Sequence, residues 1–146
     1  MQFTLKTFPE LTVQELYEIL RLRSEIFVVE QNCVFLDMDN KDQIALHLIG
    51  RLDQKIVAYT RLFDAGQYYA ESSIGRVIVC PRHRNLKLGH ELMQESIAQI
   101  ENVFKTKNVR IGAQCYLQKF YETNGFTADG AIYLEDGIPH VEMIKK

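Results

Sequence analysis

The sequence predicts a mixed α/β fold, one sheet with helices on its faces, in the order β-α-β-β-β-α-β-α-β-β. Three observations predict it. Short apolar or alternating runs, bounded by Gly, Pro, Asn and Asp, recur along the chain and read as strands. Three stretches space their apolar residues at three and four instead, the period of a helix. Residues 74–93 join the two patterns: a strand, a sharp turn, a polar loop and then a helix.

Gln2 to Phe8 alternates Phe3, Leu5 and Thr7 with polar neighbours, and Pro9 closes this first strand. Thr12-Val13-Gln14-Glu15 is a capping box with Thr12 as N-cap. Leu16, Ile19, Leu20, Arg23 and Phe27 follow at helical spacing, so this helix is expected to run to about Glu30. Phe35 to Gln43 carries Asp37, Asp39 and Asp42. It lacks the glycine and the alternating ligands of a calcium loop, and is expected to be solvated.

Ile44–Arg51 and Lys55–Phe63 read as strands joined at Asp53-Gln54, and Ala65 to Ser72 as a loop. Val77 to Cys80 is a buried strand by its β-branched content, and Pro81 ends it. Beyond the basic 82–87 loop, Met93, Ile97, Ile100 and Phe104 mark one helix face. Asn108 to Ala113 is the next strand, and Gln114 to Asn124 a short helix stopped by Gly125. Phe126–Leu134 and Ile138–Ile144 form a final hairpin around Glu135-Asp136-Gly137.

The length fits one domain, residues 1–146, with room for a sizeable core. Net charge of −2 argues against a general nucleic-acid binder. No stretch approaches the roughly 20 apolar residues of a membrane span, and the N-terminus lacks a signal-peptide pattern. Three cysteines without metal-like spacing suit a reducing cytoplasm; Cys33 and Cys80 read as small buried residues. Apolar edge residues in the final strands are compatible with a homodimer.

A loop feeding a helix N-terminus offers free N–H groups and the positive end of the helix dipole. With Arg84 and Lys87 beside it, this one reads as a phosphate or pyrophosphate site, with Gly89 letting the backbone approach a ligand. The other reading of the same stretch is a surface turn with incidental basic residues.

With that loop and Phe120-Tyr121-Glu122-Thr123-Asn124-Gly125-Phe126 both in hand, the chain resembles the GNAT superfamily of acyl-CoA-dependent N-acetyltransferases over essentially its whole length. Phe27-Val28-Val29-Glu30-Gln31, Gly75-Arg76-Val77-Ile78-Val79, Gly112-Ala113-Gln114 and Glu135-Asp136-Gly137-Ile138-Pro139-His140 are similar to its ElaA-type branch.

The resemblance implies acetyl-CoA as acyl donor and an amine, small-molecule or peptide, as acceptor, joined by direct transfer in a ternary complex. It implies that Arg84, Asn85, Leu86, Lys87, Leu88, Gly89 and His90 hold the pyrophosphate, largely through backbone N–H groups. Lys87 stands where the family's loop has its middle glycine; a lysine there can still bind phosphate through its side chain, provided its backbone avoids positive φ. The resemblance further implies that Val77, Ile78 and Val79 pair with the pantetheine arm, and that Gln114 offers it an amide. Tyr121 matches the family's general acid.

Acetyl transfer also needs a neutral amine, and a lysine-like amine with pKa about 10.4 is almost wholly charged at pH 7. Glu30 and His140 are the candidate bases, with His47 behind them. Each also has a structural reading. Tyr121 alone also reads as a core aromatic, and Arg76 as either a substrate contact or a structural surface residue on the central strand. Cys115 is placed for an acyl-cysteine, a route the family does not generally use. Two other functions stay in view: a non-catalytic acyl-CoA binding or sensing module, and a nucleotide-phosphate enzyme, which the missing Gly-Lys-Ser/Thr disfavours.

Overall fold

The computed structural model describes residues 1–146, apart from the side chains of Asn85 and Leu86. Eight strands form one sheet: β1 (Gln2–Thr7), β2 (Leu46–Leu52), β3 (Lys55–Phe63), β4 (Ser72–Val79), β5 (Val109–Gln114), β6 (Thr127–Ala128), β7 (Tyr133–Glu135) and β8 (Ile138–Lys145). They lie in the order β1-β2-β3-β4-β5-β8-β6, with β7 also on β8. Only β4 and β5 run parallel, and they pair just at Ser72↔Val109 and Ser73↔Arg110. Beyond that point the two strands part, and the sheet opens into a fork.

Helix α1 (Val13–Arg23) starts as the sequence predicts. Thr12 Oγ1 accepts from the Glu15 N–H at 3.0 Å, and Glu15 returns the bond to the Thr12 N–H. The helix continues to Glu30, but Ser24–Glu30 is π-helical, a wider winding that apolar periodicity does not distinguish. Helix α2 (Leu88–Phe104) and helix α3 (Gln118–Thr123) complete the set. Gly125, at φ +95°, ends α3 in a Schellman motif: its N–H reaches Glu122 O, and that of Phe126 reaches Tyr121 O.

The core lies on both faces of the sheet. Ile19, Leu22 and Ile26 of the first helix pack on Ile49, Tyr59 and Ile78. Met93 and Ile100 of α2 pack with Val109, Ile111, Ala113 and Tyr121 on the other face. Strand β3 is therefore buried from Ile56 to Phe63. Val77 and Val79 are only half-buried, because β5 has already turned away from them. The last hairpin turns tightly at Asp136-Gly137, both at positive φ. The strand expected over 126–134 is instead two short pieces, β6 and β7, broken around Gly130 at φ +116°.

The expectation of a solvated acidic loop is overturned. Asp37 and Asp42 are buried, and the loop's carboxylates clamp three arginines from distant elements. Arg23, at the end of α1, donates from Nε to Asp37 and from Nη1 to Asp42, both at 2.7 Å. Arg61 of β3 grips Asp39 with both terminal nitrogens and adds Asp42 at 3.0 Å. Arg76 of β4 places Nε 2.8 Å from Asp37 and bonds the Asp37 carbonyl at 2.7 Å. Three positive and three negative groups balance one another, the condition for burying charge at all.

Candidate active site

A cavity of about 750 Å³ fills the fork between β4 and β5. Its walls include Phe27, Glu30 and Gln31 from the π-helical segment, Arg76 to Val79 from β4, and Ile111, Gly112 and Gln114 from β5. Phe35, Leu36 and Asp39 come from the acidic loop, and Glu135, Asp136, Ile138 and His140 from the last hairpin. Arg84, Gly89, Phe120 and Tyr121 close the side nearest α2 and α3.

A bulge in β4 helps to aim this wall. Tyr59 faces Ile78 and Arg61 faces Gly75, so two steps on β3 oppose three on β4. Arg76 takes the left-handed conformation there, at φ 49°. Its guanidinium is anchored by Asp37 and lies near the Phe27 and Phe35 rings, 5.9 and 6.0 Å from their centroids. Arg76 is thus anchored within the fold and also lines the cavity.

Past the bulge, the Cys80 N–H donates back to Val57 O on β3 at 2.7 Å. Backbone groups alternate sides along a strand, so the Val79 amide points the other way, into the fork. The Val79 carbonyl lies on that side too, accepting from Arg84 Nε at 3.3 Å.

Pro81–Leu86 is a 3₁₀ turn leading to α2. Lys87, the N-cap, sits at φ 58° and provides no side-chain cap. The condition that the Lys87 backbone avoid positive φ is therefore not met: the αL step needed to launch α2 is made by a lysine where glycine would be unstrained. The Lys87 side chain thus leaves the first amides of α2 uncapped. Gly89 is helical and packs under the Phe120 ring, where an added Cβ would come within 3.3 Å. Leu88 is buried in the core, and His90 is exposed with Nδ1 3.2 Å from Asn124 Nδ2. The side-chain roles expected of Asn85 and Leu86 fall outside the described residues.

Tyr121 is 6% exposed and reaches the cavity from a core position, stacked edge-on with Phe120 and Phe126. Burial raises its phenol well above the usual tyrosine range, with Tyr116 adding to the effect, so it stays protonated at neutral pH. Tyr121 thus belongs to the core and also lines the cavity.

Two expected site residues are engaged by neighbours. Glu30 Oε1 accepts from Arg84 Nη2 at 2.8 Å. Gln114 exchanges amide bonds with Gln31, at 3.2 and 3.4 Å. His140 is buried; its Nδ1 donates to Ile138 O at 2.7 Å and its Nε2 lies 3.3 Å from Glu135 Oε2. His47 does not line the cavity. Its Nδ1 is 2.6 Å from the Tyr59 hydroxyl and its Nε2 2.9 Å from Asp42 O, and burial lowers its pKa, so it serves as a neutral structural link. Gln31 and Asp39 are cavity residues the sequence reading passed over. For Gln31 the signal was its place beside Glu30; for Asp39 only the distant arginines reveal the position.

Residues 16–146 match the acetyltransferase (GNAT) domain family. The chain is 39% identical over 139 residues to Protein ElaA of Escherichia coli, spanning 94% of this chain and 91% of that protein. It superposes on an acyl-CoA N-acyltransferase from Pseudomonas aeruginosa with a TM-score of 0.92 and 37% identity, covering all of both chains. The crystal structure of Escherichia coli ElaA gives a TM-score of 0.91 with 36% identity, again over both whole chains. No helix among the described residues is long and apolar enough to cross a membrane.

Proposed function

The chain belongs to the acetyltransferase (GNAT) family and has its acyl-CoA N-acyltransferase fold, and on that premise we propose that it is an acetyl-CoA-dependent N-acetyltransferase acting on an amine by direct transfer in a ternary complex. One observation carries the reading: the forked β4/β5 edge, the start of α2 at Gly89 and Tyr121 all meet at one cavity. The residues present fit the donor. The amides of Leu88, Gly89 and His90 suit a pyrophosphate, and Arg84 and Lys87 add positive charge beside them. When bound, acetyl-CoA supplies the activated acetyl thioester.

The chain's own groups divide the remaining work. Val77 to Val79 offer an open strand edge to the pantetheine arm. The Val79 N–H, turned into the fork, is the donor for negative charge developing on the acetyl oxygen. The Tyr121 hydroxyl, kept protonated by burial, donates to the departing sulfur. On the acceptor side, His140 has Nδ1 committed to Ile138 O. Its Nε2 is therefore the atom that takes the amine's proton, directly or through water. Glu30 is the alternative base, and its carboxylate is held by Arg84. The three thiols are free, which suits the reducing cytoplasm we propose as the setting.

Purified protein with acetyl-CoA at about 100 times its Kd should gain about 2.7 kcal/mol of stability in thermal unfolding. The gain should exceed that from 3′,5′-ADP or ATP. Amines added next should release free CoA thiol. Absence of any stabilisation at millimolar acetyl-CoA would remove the reading; binding without transfer to any amine would favour an acyl-CoA sensing module.

A further inference from the structure

Glu30 and Gln31 are consecutive residues at the end of the π-helical segment, and each occupies a side chain on a different arm of the fork. Glu30 holds Arg84, which is itself bonded to the Val79 carbonyl at the tip of β4. Gln31 holds Gln114, the last residue of β5, in a reciprocal amide pair. The partners are 54 and 83 residues away in sequence. All four residues line the cavity.

We propose that Glu30 and Gln31 form a two-point clasp across the β4/β5 fork, which an acyl-CoA must open on entering. The proposal rests on the acetyl-CoA reading above. A diphosphate competes with the Glu30 carboxylate for Arg84, exchanging one anion for another of higher charge. The amides of a pantetheine arm compete in the same way for Gln114, replacing neutral hydrogen bonds with equivalent ones. Arg84 and Gln114 each keep a partner through the exchange, which lowers the cost of opening. The Glu30–Arg84 pair is half-exposed, its side chains 40% and 46% accessible, so it is a weak contact of the kind a ligand can displace.

The release that goes with this clasp is a change of winding in the segment that carries it. Ser24–Glu30 is wound with i→i+5 bonds directly after α1. Rewinding it to the i→i+4 bonds of α1 rotates and withdraws Glu30 and Gln31 together. One backbone transition thus releases both arms, a two-state element of the kind that couples ligand entry to conformation.

Calorimetric titration of acetyl-CoA into the wild type, Glu30→Gln, Gln31→Ala and the double variant tests this. Glu30 is exposed and Gln31 half-buried, and neither belongs to the hydrophobic core. Each single variant should bind roughly two- to five-fold tighter, the worth of one exposed contact, because the free state no longer has a bond to give up. The double variant should bind more tightly than either. Hydrogen exchange supplies a second readout: amides of residues 24–31 should exchange at least as fast in the wild type with acetyl-CoA as without it.

Unchanged affinity in all three variants, or stronger protection of 24–31 on binding, would overturn the clasp and leave the acetyl-CoA reading intact. No heat of binding with any of the four proteins would overturn both. Binding by the double variant alone would support a clasp strong enough to keep the free protein shut.

Discussion

Arg23 Nη1 meets Asp42 Oδ1 at 2.7 Å, with side chains only 1% and 10% exposed. Asp42 also accepts from Arg61, so one carboxylate serves two buried cations. Through this group the acidic loop is fixed against α1 and β3, and with it the Phe35–Asp39 wall of the cavity. Removing one partner strands the others: Asp42→Ala should cost about 3–5 kcal/mol, because it leaves buried guanidinium charge uncompensated. Urea unfolding checks this. A loss under about 1 kcal/mol would mean the cluster contributes little to the fold.

The same cluster sets an acid limb on stability. Burial raises the Asp39 and Asp42 carboxyls, but hydrogen bonds from Arg61 and Arg23 respectively outweigh it and hold both below the ordinary aspartate range. Burial likewise raises Glu15, while Lys6, the Thr12 N–H and Arg51 bring it down to about 2. A carboxyl depressed in the folded state stabilises above its unfolded pKa, about 3.9 for Asp and 4.3 for Glu, and that contribution is lost as pH falls through the folded value. Melting temperature should therefore be flat with respect to these groups above pH about 5 and fall steeply below pH about 4. Glu15→Gln should make the acid limb shallower.

Tyr121→Phe should lower turnover by about 10²–10⁴, the usual contribution of a positioned acid, and leave acetyl-CoA affinity nearly unchanged. Steady-state kinetics beside a binding titration separates the two effects. Because burial raises the phenol, the wild-type rate should show no loss from Tyr121 ionisation up to pH about 10. Wild-type turnover in the phenylalanine variant would remove the acid role and leave Tyr121 as a core aromatic.

Lys87 holds φ 58° at the junction of the 3₁₀ turn and α2. Lys87→Gly should raise unfolding stability by about 0.5–1 kcal/mol, the αL penalty less glycine's entropic cost. It should also weaken acetyl-CoA binding, since an ammonium beside the phosphates is lost. Stability and affinity moving in opposite directions would show a residue strained for its ligand; weaker stability in the glycine variant would contradict the strain.

Gly112 lies where the Tyr69 and Tyr133 hydroxyls close over β5, and an added Cβ would sit 3.0 and 2.9 Å from them. Gly112→Ala should cost about 1–3 kcal/mol as those rings shift and should narrow the cavity. A variant as stable as wild type would show that the tyrosines move freely.

Most elements were legible because their causes are local. Thr12 and Glu15 define a helix start within four residues, Asp136-Gly137 a two-residue turn, and Gly125 a helix stop. The π-helical winding of Ser24–Glu30 was not legible, since its apolar spacing is also that of an α-helix. The 126–134 strand failed for a different reason: Gly130 breaks it, while β8 provides partners for the pieces on either side.

The sequence by itself determined the order of the elements as far as α3, the family they resemble and the basic loop before α2, because these are written in short-range periodicity, capping and motif spacing. Tertiary structure alone decided what the charged and amide groups do. Asp37, Asp39 and Asp42 are polar residues in a loop until Arg23, Arg61 and Arg76 arrive from three elements to bury them. Glu30 and Gln31 are a surface pair until folding brings Arg84 and Gln114 beside them. A side chain's propensity acts over a few residues, whereas desolvation and charge pairing depend on which distant groups share its space.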